Sequence, residues 1–201
     1  MDDTAEDTDA LTVCRRIRQL RTARGLTLEE LAAQLGSDVP FALTGGTALG
    51  TGRGEKIVPV LATGTYHWLF ALTHEGLSTP AVYAECDRLR EGHRVPEPSP
   101  SDGLLASVRS GDVHGVAVAM HNDLEPAALS LMPRLRALME FGLEMGALNA
   151  MVSGSGPTVA FLMASRKDAV ALRNVLAAGD LADDYVLAAS TPHGAQITSA
   201  S

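Results

Sequence analysis

Apolar positions divide the chain into short elements. Leu11, Cys14, Ile17 and Leu20 recur at helical spacing, which predicts a helix over residues 9–24 stopped by Gly25. Thr27 and Glu30 have capping-box spacing, and Leu28, Leu31 and Leu35 then share one face of a second helix closed by Gly36. Pro40 disfavours a helical Val39, so the chain is expected to enter a strand there. The runs at 56–61 and 66–72 read as strands. Ser78-Thr79-Pro80 opens a helix with Val82, Cys86 and Leu89 as its apolar stripe, and the prolines at 96, 98 and 100 mark a loop. Short helices follow near 103–109 and 112–120, punctuated at 122–126. A longer helix opens at Pro133 with Leu135, Leu138 and Met139 facing inward. Residues 148–152 and 158–163 read as strands joined by a Ser-Gly-Ser-Gly turn. Ser165 and Asp168 cap a helix carrying Ala169, Leu172 and Leu176, and 185–189 is the last strand. This order predicts an α+β fold whose C-terminal part has helices on one face of an antiparallel sheet.

The 201 residues are 46% hydrophobic but only 4% aromatic, so the core must be built from Ala, Leu and Val, and Trp68 is expected in it. No run of eighteen apolar residues occurs, so no transmembrane helix is expected, and the acidic start has no signal-peptide character. Cys14 and Cys86 offer neither a disulfide framework nor metal-ligand spacing, which points to a reducing cytoplasm. A net charge of −8 argues against a nucleic acid partner for the whole chain. The six histidines show no metal spacing and read as structural or solvent-facing.

Three segments invite a chemical reading. Asp38 lies between a Gly-Ser break and an expected strand, where catalytic groups are often placed, although aspartate is also a common turn residue. Five of the ten residues at 45–54 are glycine. Their spacing fits neither the P-loop nor the dinucleotide pattern, so a glycine-rich hairpin is the simpler reading. The turn at 153–158, Ser-Gly-Ser-Gly-Pro-Thr, allows close approach of a ligand or of another backbone, and is also what a tight turn uses. The arginines at 15, 16, 18, 21 and 24, followed by 25–32, resemble the opening of a helix-turn-helix domain. A solvated arginine face is the plainer alternative, since no recognition helix follows.

Taken in order, these segments resemble the diphosphocytidyl-methylerythritol kinases of the GHMP superfamily. Leu35-Gly36-Ser37-Asp38-Val39-Pro40-Phe41 is similar to that family's catalytic-aspartate motif, and 45–55 looks like the segment that follows it. Residues 76–83 resemble the family's substrate-side loop and helix, 122–126 the start of its C-terminal helical region, and 153–158 its third signature motif. The likeness covers about 25–196. It implies transfer of a phosphoryl group from ATP, with Mg, to a hydroxyl of a cytidine-diphosphate-linked methylerythritol in the non-mevalonate route to isoprenoids. It implies Asp38 as the base accepting the hydroxyl proton, Gly154, Ser155 and Gly156 near the transferred group, and Thr79 and Tyr83 on the substrate. The implied partners are the small-molecule substrate and ATP, with no nucleic acid and no membrane. The implied division is an acidic leader and basic helix at 1–24, a partial N-terminal kinase lobe at 25–77 and the GHMP C-terminal domain at 78–201.

The family's N-terminal lobe also carries a lysine that assists the acceptor hydroxyl and a glycine-rich loop whose amides cradle phosphates. Here the two lysines, Lys56 and Lys167, both follow Asp38, and no glycine precedes Gly25. The chain is therefore expected to be an N-terminally truncated or fused member, inactive by itself. The other function classes are a DNA-binding regulator built on 10–36 and a non-catalytic interaction protein using the C-terminal lobe.

Overall fold

The computed structural model describes Arg24, Gly25, Glu30 and residues 39–52, 54, 56–95 and 101–190. Asp38, most of the helices expected over 9–24 and after Thr27, and the helix-turn-helix alternative lie outside the described residues. Residues up to Ala62 and the stretch from Thr63 to Ser190 belong to two separate compact units.

In the first unit, α1 (Val39–Thr44) takes the place of the strand expected at Pro40. The restriction that proline imposes falls only on Val39, the terminal residue. Pro40 itself suits a first helical turn, where its fixed φ fits and its missing N–H has no intrahelical partner to lose. The Pro40 ring is fully buried. Thr44 Oγ1 donates to the Pro40 carbonyl at 2.9 Å, and Gly45 N–H closes the helix on the Phe41 carbonyl at 2.7 Å. β1 (Ala48–Thr51) and β2 (Lys56–Pro59) then form an antiparallel hairpin, paired from Ala48↔Pro59 to Thr51↔Lys56. Gly52 and Gly54 supply the positive φ values of its turn, 70° and 99°. The glycine-rich stretch is thus the hairpin its composition predicts.

The second unit is built on a four-stranded antiparallel sheet. It contains β3 (His67–Leu72), β4 (Asn149–Val152), β5 (Val159–Met163) and β6 (Asp184–Ala189), in the order β4-β5-β3-β6. Leu69 is paired with Phe161 on one side and Leu187 on the other, and Ala150 with Phe161. Strand alternation then puts Leu69, Ala71, Ala150, Val152, Val159, Phe161 and Met163 on one face, where they enter the main core. Four helices cover that face: α2 (Thr79–Arg90), α5 (Glu125–Leu131), α6 (Arg134–Glu144) and α7 (Arg166–Ala178). They contribute Val82 and Cys86, Ala127 to Leu129, Leu135, Leu138 and Met139, and Ala169, Leu172 and Leu176. The helices-on-one-face architecture matches the sequence expectation. α3 (Asp102–Ser110) and α4 (Val113–Ala119) stand apart from that cluster. Asn149, on the opposite face of β4, donates to the Ala117 carbonyl of α4.

Some expectations are corrected. Trp68 is half-buried on the face away from the main core, where it stacks on Phe70 with ring centroids 6.3 Å apart. Strand alternation puts it there, because Leu69 occupies the inward position. Leu89 is 40% exposed on α2, so the buried stripe of that helix is Val82 and Cys86 alone. The segment at 122–126 read as punctuation runs directly into α5, whose first turn accommodates Pro126 as a helix start does.

Candidate active site

The β4–β5 turn at 153–158 is held by the chain on either side. Ser153 N–H donates to the Thr158 carbonyl at 2.8 Å, continuing the β4–β5 ladder by one bond. Gly156 N–H folds back to the Ser153 carbonyl at 2.9 Å. Gly154 and Gly156 have φ of 58° and 77°, a region that carries little penalty for glycine alone. The two glycines differ in their surroundings. A Cβ on Gly154 would meet no atom within 4 Å, whereas one on Gly156 would lie 2.9 Å from Val152 Cγ1 and 3.3 Å from Leu77 Cδ1. The turn therefore presents an open side at Gly154 and a packed side at Gly156. Among the described residues, the Gly154 and Ser155 N–H groups take no backbone acceptor, which leaves them available to an anion.

The start of α2 meets this turn. Thr79 Oγ1 and Ser155 Oγ are 2.9 Å apart and share a hydrogen bond. Ser78, the N-cap of α2, makes no side-chain capping bond, so the helix offers N–H groups at the same end. Tyr83 is one helical turn on from Thr79, on the same side of α2, and is 55% exposed. Thr79 thus falls beside the motif that holds Gly154, Ser155 and Gly156, with Tyr83 one turn along. Where Asp38 stands relative to them lies outside the described residues.

Sequence reasoning missed the two residues behind the turn. Asn122 Nδ2 donates to the Val152 and Gly154 carbonyls, each at 2.7 Å, and its Oδ1 accepts from Leu124 N–H at 3.0 Å. Glu125 Oε2 accepts from Val152 N–H at 2.9 Å. The available signal was an Asn and a Glu three apart at the mouth of a helix, a pattern that reads locally as helix-start chemistry. Asp123, between them, bonds outward to Arg90 of α2 at 3.1 Å.

Electrostatics around α2 are set mainly by Glu85. It accepts two bonds of 2.7 Å from Arg88 and one of 2.6 Å from Ser130 Oγ on α5. The Arg88 and then the Ser130 hydrogen bonds hold its carboxyl well below the usual range, at about 2. Among the described residues no group of three His, Cys, Asp or Glu is placed to hold a metal ion. A cavity of about 150 Å³ is lined by His67, Trp68, Arg166 and the end of β6. It lies at the opposite end of β5 from the turn, since His67 pairs with Met163. It is well below the usual volume of a ligand site, so the turn is the stronger candidate.

Residues 104–180 match the family described as GHMP kinases C terminal. The chain is 48% identical over 193 residues, 96% of its length, to a 4-diphosphocytidyl-2-C-methyl-D-erythritol kinase of Streptomyces avermitilis, of which it covers 65%. It is 50% identical over 178 residues, 86% of its length, to the enzyme of that name from Mycolicibacterium smegmatis, covering 54%. Among solved structures, a crystal structure of 4-(cytidine 5'-diphospho)-2C-methyl-D-erythritol kinase superposes with a TM-score of 0.69 at 25% identity, covering 90% of this chain and 63% of that one. The chain thus spans less than two thirds of the length of these relatives. Because the Streptomyces match takes in 193 of the 201 residues, most of the arginine-bearing N-terminal stretch is shared with a kinase. By its C-terminal domain and its relatives, the chain is similar to the GHMP kinases and, among them, to the 4-diphosphocytidyl-2-C-methyl-D-erythritol kinases.

Proposed function

We propose that the protein takes part in the ATP-dependent phosphorylation of a hydroxyl of 4-diphosphocytidyl-2-C-methyl-D-erythritol, a step of non-mevalonate isoprenoid synthesis. The observation that carries this reading is the 48% identity to a kinase of that name across 96% of the chain. Phosphoryl transfer is mostly positioning and charge neutralisation. In this reading Asp38 accepts the proton of the attacking hydroxyl. Gly154, Ser155 and Gly156 lie against the phosphates, with the open Gly154 side and the two available amides toward them, and Thr79 and Tyr83 contact the substrate. Magnesium arrives on the triphosphate, which suits an ion that is commonly held by one or two carboxylates plus phosphate oxygens. The cytoplasm is the proposed compartment. The proposed division remains 1–24, a kinase-lobe segment at 25–77 and the GHMP C-terminal domain at 78–201.

The test is a graft. The chain replaces the matching part of the Streptomyces avermitilis enzyme, and product is followed by mass with magnesium-ATP and the cytidine-linked substrate. ATP-dependent product is expected. An inactive graft in which the parent enzyme turns over normally would overturn the reading.

A further inference from the structure

Two side chains tie the 153–158 turn and the strand end that leads into it to the start of α5. Within 153–158, two backbone bonds define the loop, Ser153 to Thr158 and Gly156 to Ser153. Asn122 and Glu125 add one bond to Gly154 within the turn and two to Val152 just before it. They act on both sides of one peptide segment. Asn122 takes the Val152 and Gly154 carbonyls, and Glu125 takes the Val152 N–H. A carbonyl held at Gly154 fixes the plane of the next peptide, and so the direction of the Ser155 N–H. The same segment is anchored away from the turn, because Asp123 is ion-paired with Arg90 and the Asn122 Oδ1 is held by Leu124 N–H.

We propose that Asn122 and Glu125 are positioning residues. They set the direction of the Ser155 amide and thereby the affinity of the turn for a phosphate-bearing ligand. The proposal rests on the kinase reading for the identity of that ligand, but its geometric half stands apart from it. Exchange of an amide proton reports local opening, and one lost hydrogen bond corresponds to roughly a tenfold change in exchange.

The experiment uses the 201-residue chain labelled for NMR, comparing Asn122→Asp, Glu125→Ala and Glu125→Gln with the parent. Asn122→Asp keeps the acceptor for Leu124 and loses both donors. Glu125→Gln keeps an acceptor for Val152, and Glu125→Ala removes it. Exchange at Ser153 and Gly156 is expected to rise about tenfold in Asn122→Asp and Glu125→Ala, with Phe161 and Leu162 of β5 unchanged. Glu125→Gln should stay at the parent level. Titration with magnesium-ATP and, separately, with the cytidine-linked substrate should shift Gly154 and Ser155 in the parent at lower ligand concentration than in the two loosened variants. Parent-like exchange at Ser153 and Gly156 in both loosened variants overturns the proposal, as does loosening with undiminished ligand affinity. If Asn122→Asp exposes the β5 amides as well, the Glu125 pair decides. A parent whose Gly154 and Ser155 respond to neither ligand overturns the claim on ligand affinity, while an exchange pattern that holds leaves the clamp on the turn supported.

Discussion

Gly154 and Gly156 look alike in the sequence and differ in space. Both require a positive φ, which costs an alanine about 1–2 kcal/mol. At Gly154 that is the whole cost, because an added Cβ meets nothing. At Gly156 the Cβ would press on Val152, itself fully buried in the core. Gly156→Ala is therefore expected to lose more stability than Gly154→Ala, by about 1–3 kcal/mol, the usual cost of overpacking. Urea denaturation of the two variants decides it, and equal losses would show that the packed side of the turn yields easily. Asp38 belongs to the same scale. In the grafted enzyme, Asp38→Asn is expected to lower turnover about a hundredfold or more, as loss of a positioned base does. Near-parent turnover would remove it from the mechanism. The arginines of the N-terminal stretch give the opposite expectation. Selection from random duplexes at physiological salt should enrich no sequence, because the net charge of −8 works against phosphate binding. An enriched site that is lost on changing Arg18 and Arg21 to Glu would revive the regulator reading.

Among elements, the Ser130–Glu85 hydrogen bond joins α5 to α2 beside apolar packing, and Arg88 braces Glu85 from within α2. The Glu85 carboxyl is held at about 2 by bonds that favour its charged form. A lowered native pKa means that the contribution is fully present above the ordinary carboxylate value and is lost as pH falls toward about 2. The stability difference between the parent and Glu85→Gln should therefore be constant near neutrality and shrink between roughly pH 4.5 and pH 2. Thermal unfolding across that range measures it, and a constant difference would deny the charged Glu85 carboxylate any stabilising part. Most elements were legible from periodicity because burial here follows it closely. β5 reads as an unbroken apolar run because all five residues are buried, and α7 shows its Ser165 cap and its buried stripe directly. The departures came from effects that act across the chain. Pro40 restricts Val39 wherever helix and strand compete, and a local rule cannot see that the proline ring is buried at a helix start. Of the candidate site, the turn and Thr79 were legible as motifs. Asn122 and Glu125 were not, since their partners lie 27 to 32 residues away along the chain.

At the scale of the whole molecule, the second unit begins and ends at one place. Tyr66 N–H donates to Ser190 Oγ and Ser190 N–H to the Tyr66 carbonyl, both at 2.9 Å, because β3 and β6 are antiparallel neighbours. A domain whose entry and exit are adjacent is attached to the rest of its chain like a cassette. Its surroundings can be lengthened or exchanged without stretching the sheet. Such a domain also tolerates circular permutation. A short glycine-serine bridge from Ser190 to Thr63, with new termini opened elsewhere on the surface, leaves every strand pairing of the four-stranded sheet in place.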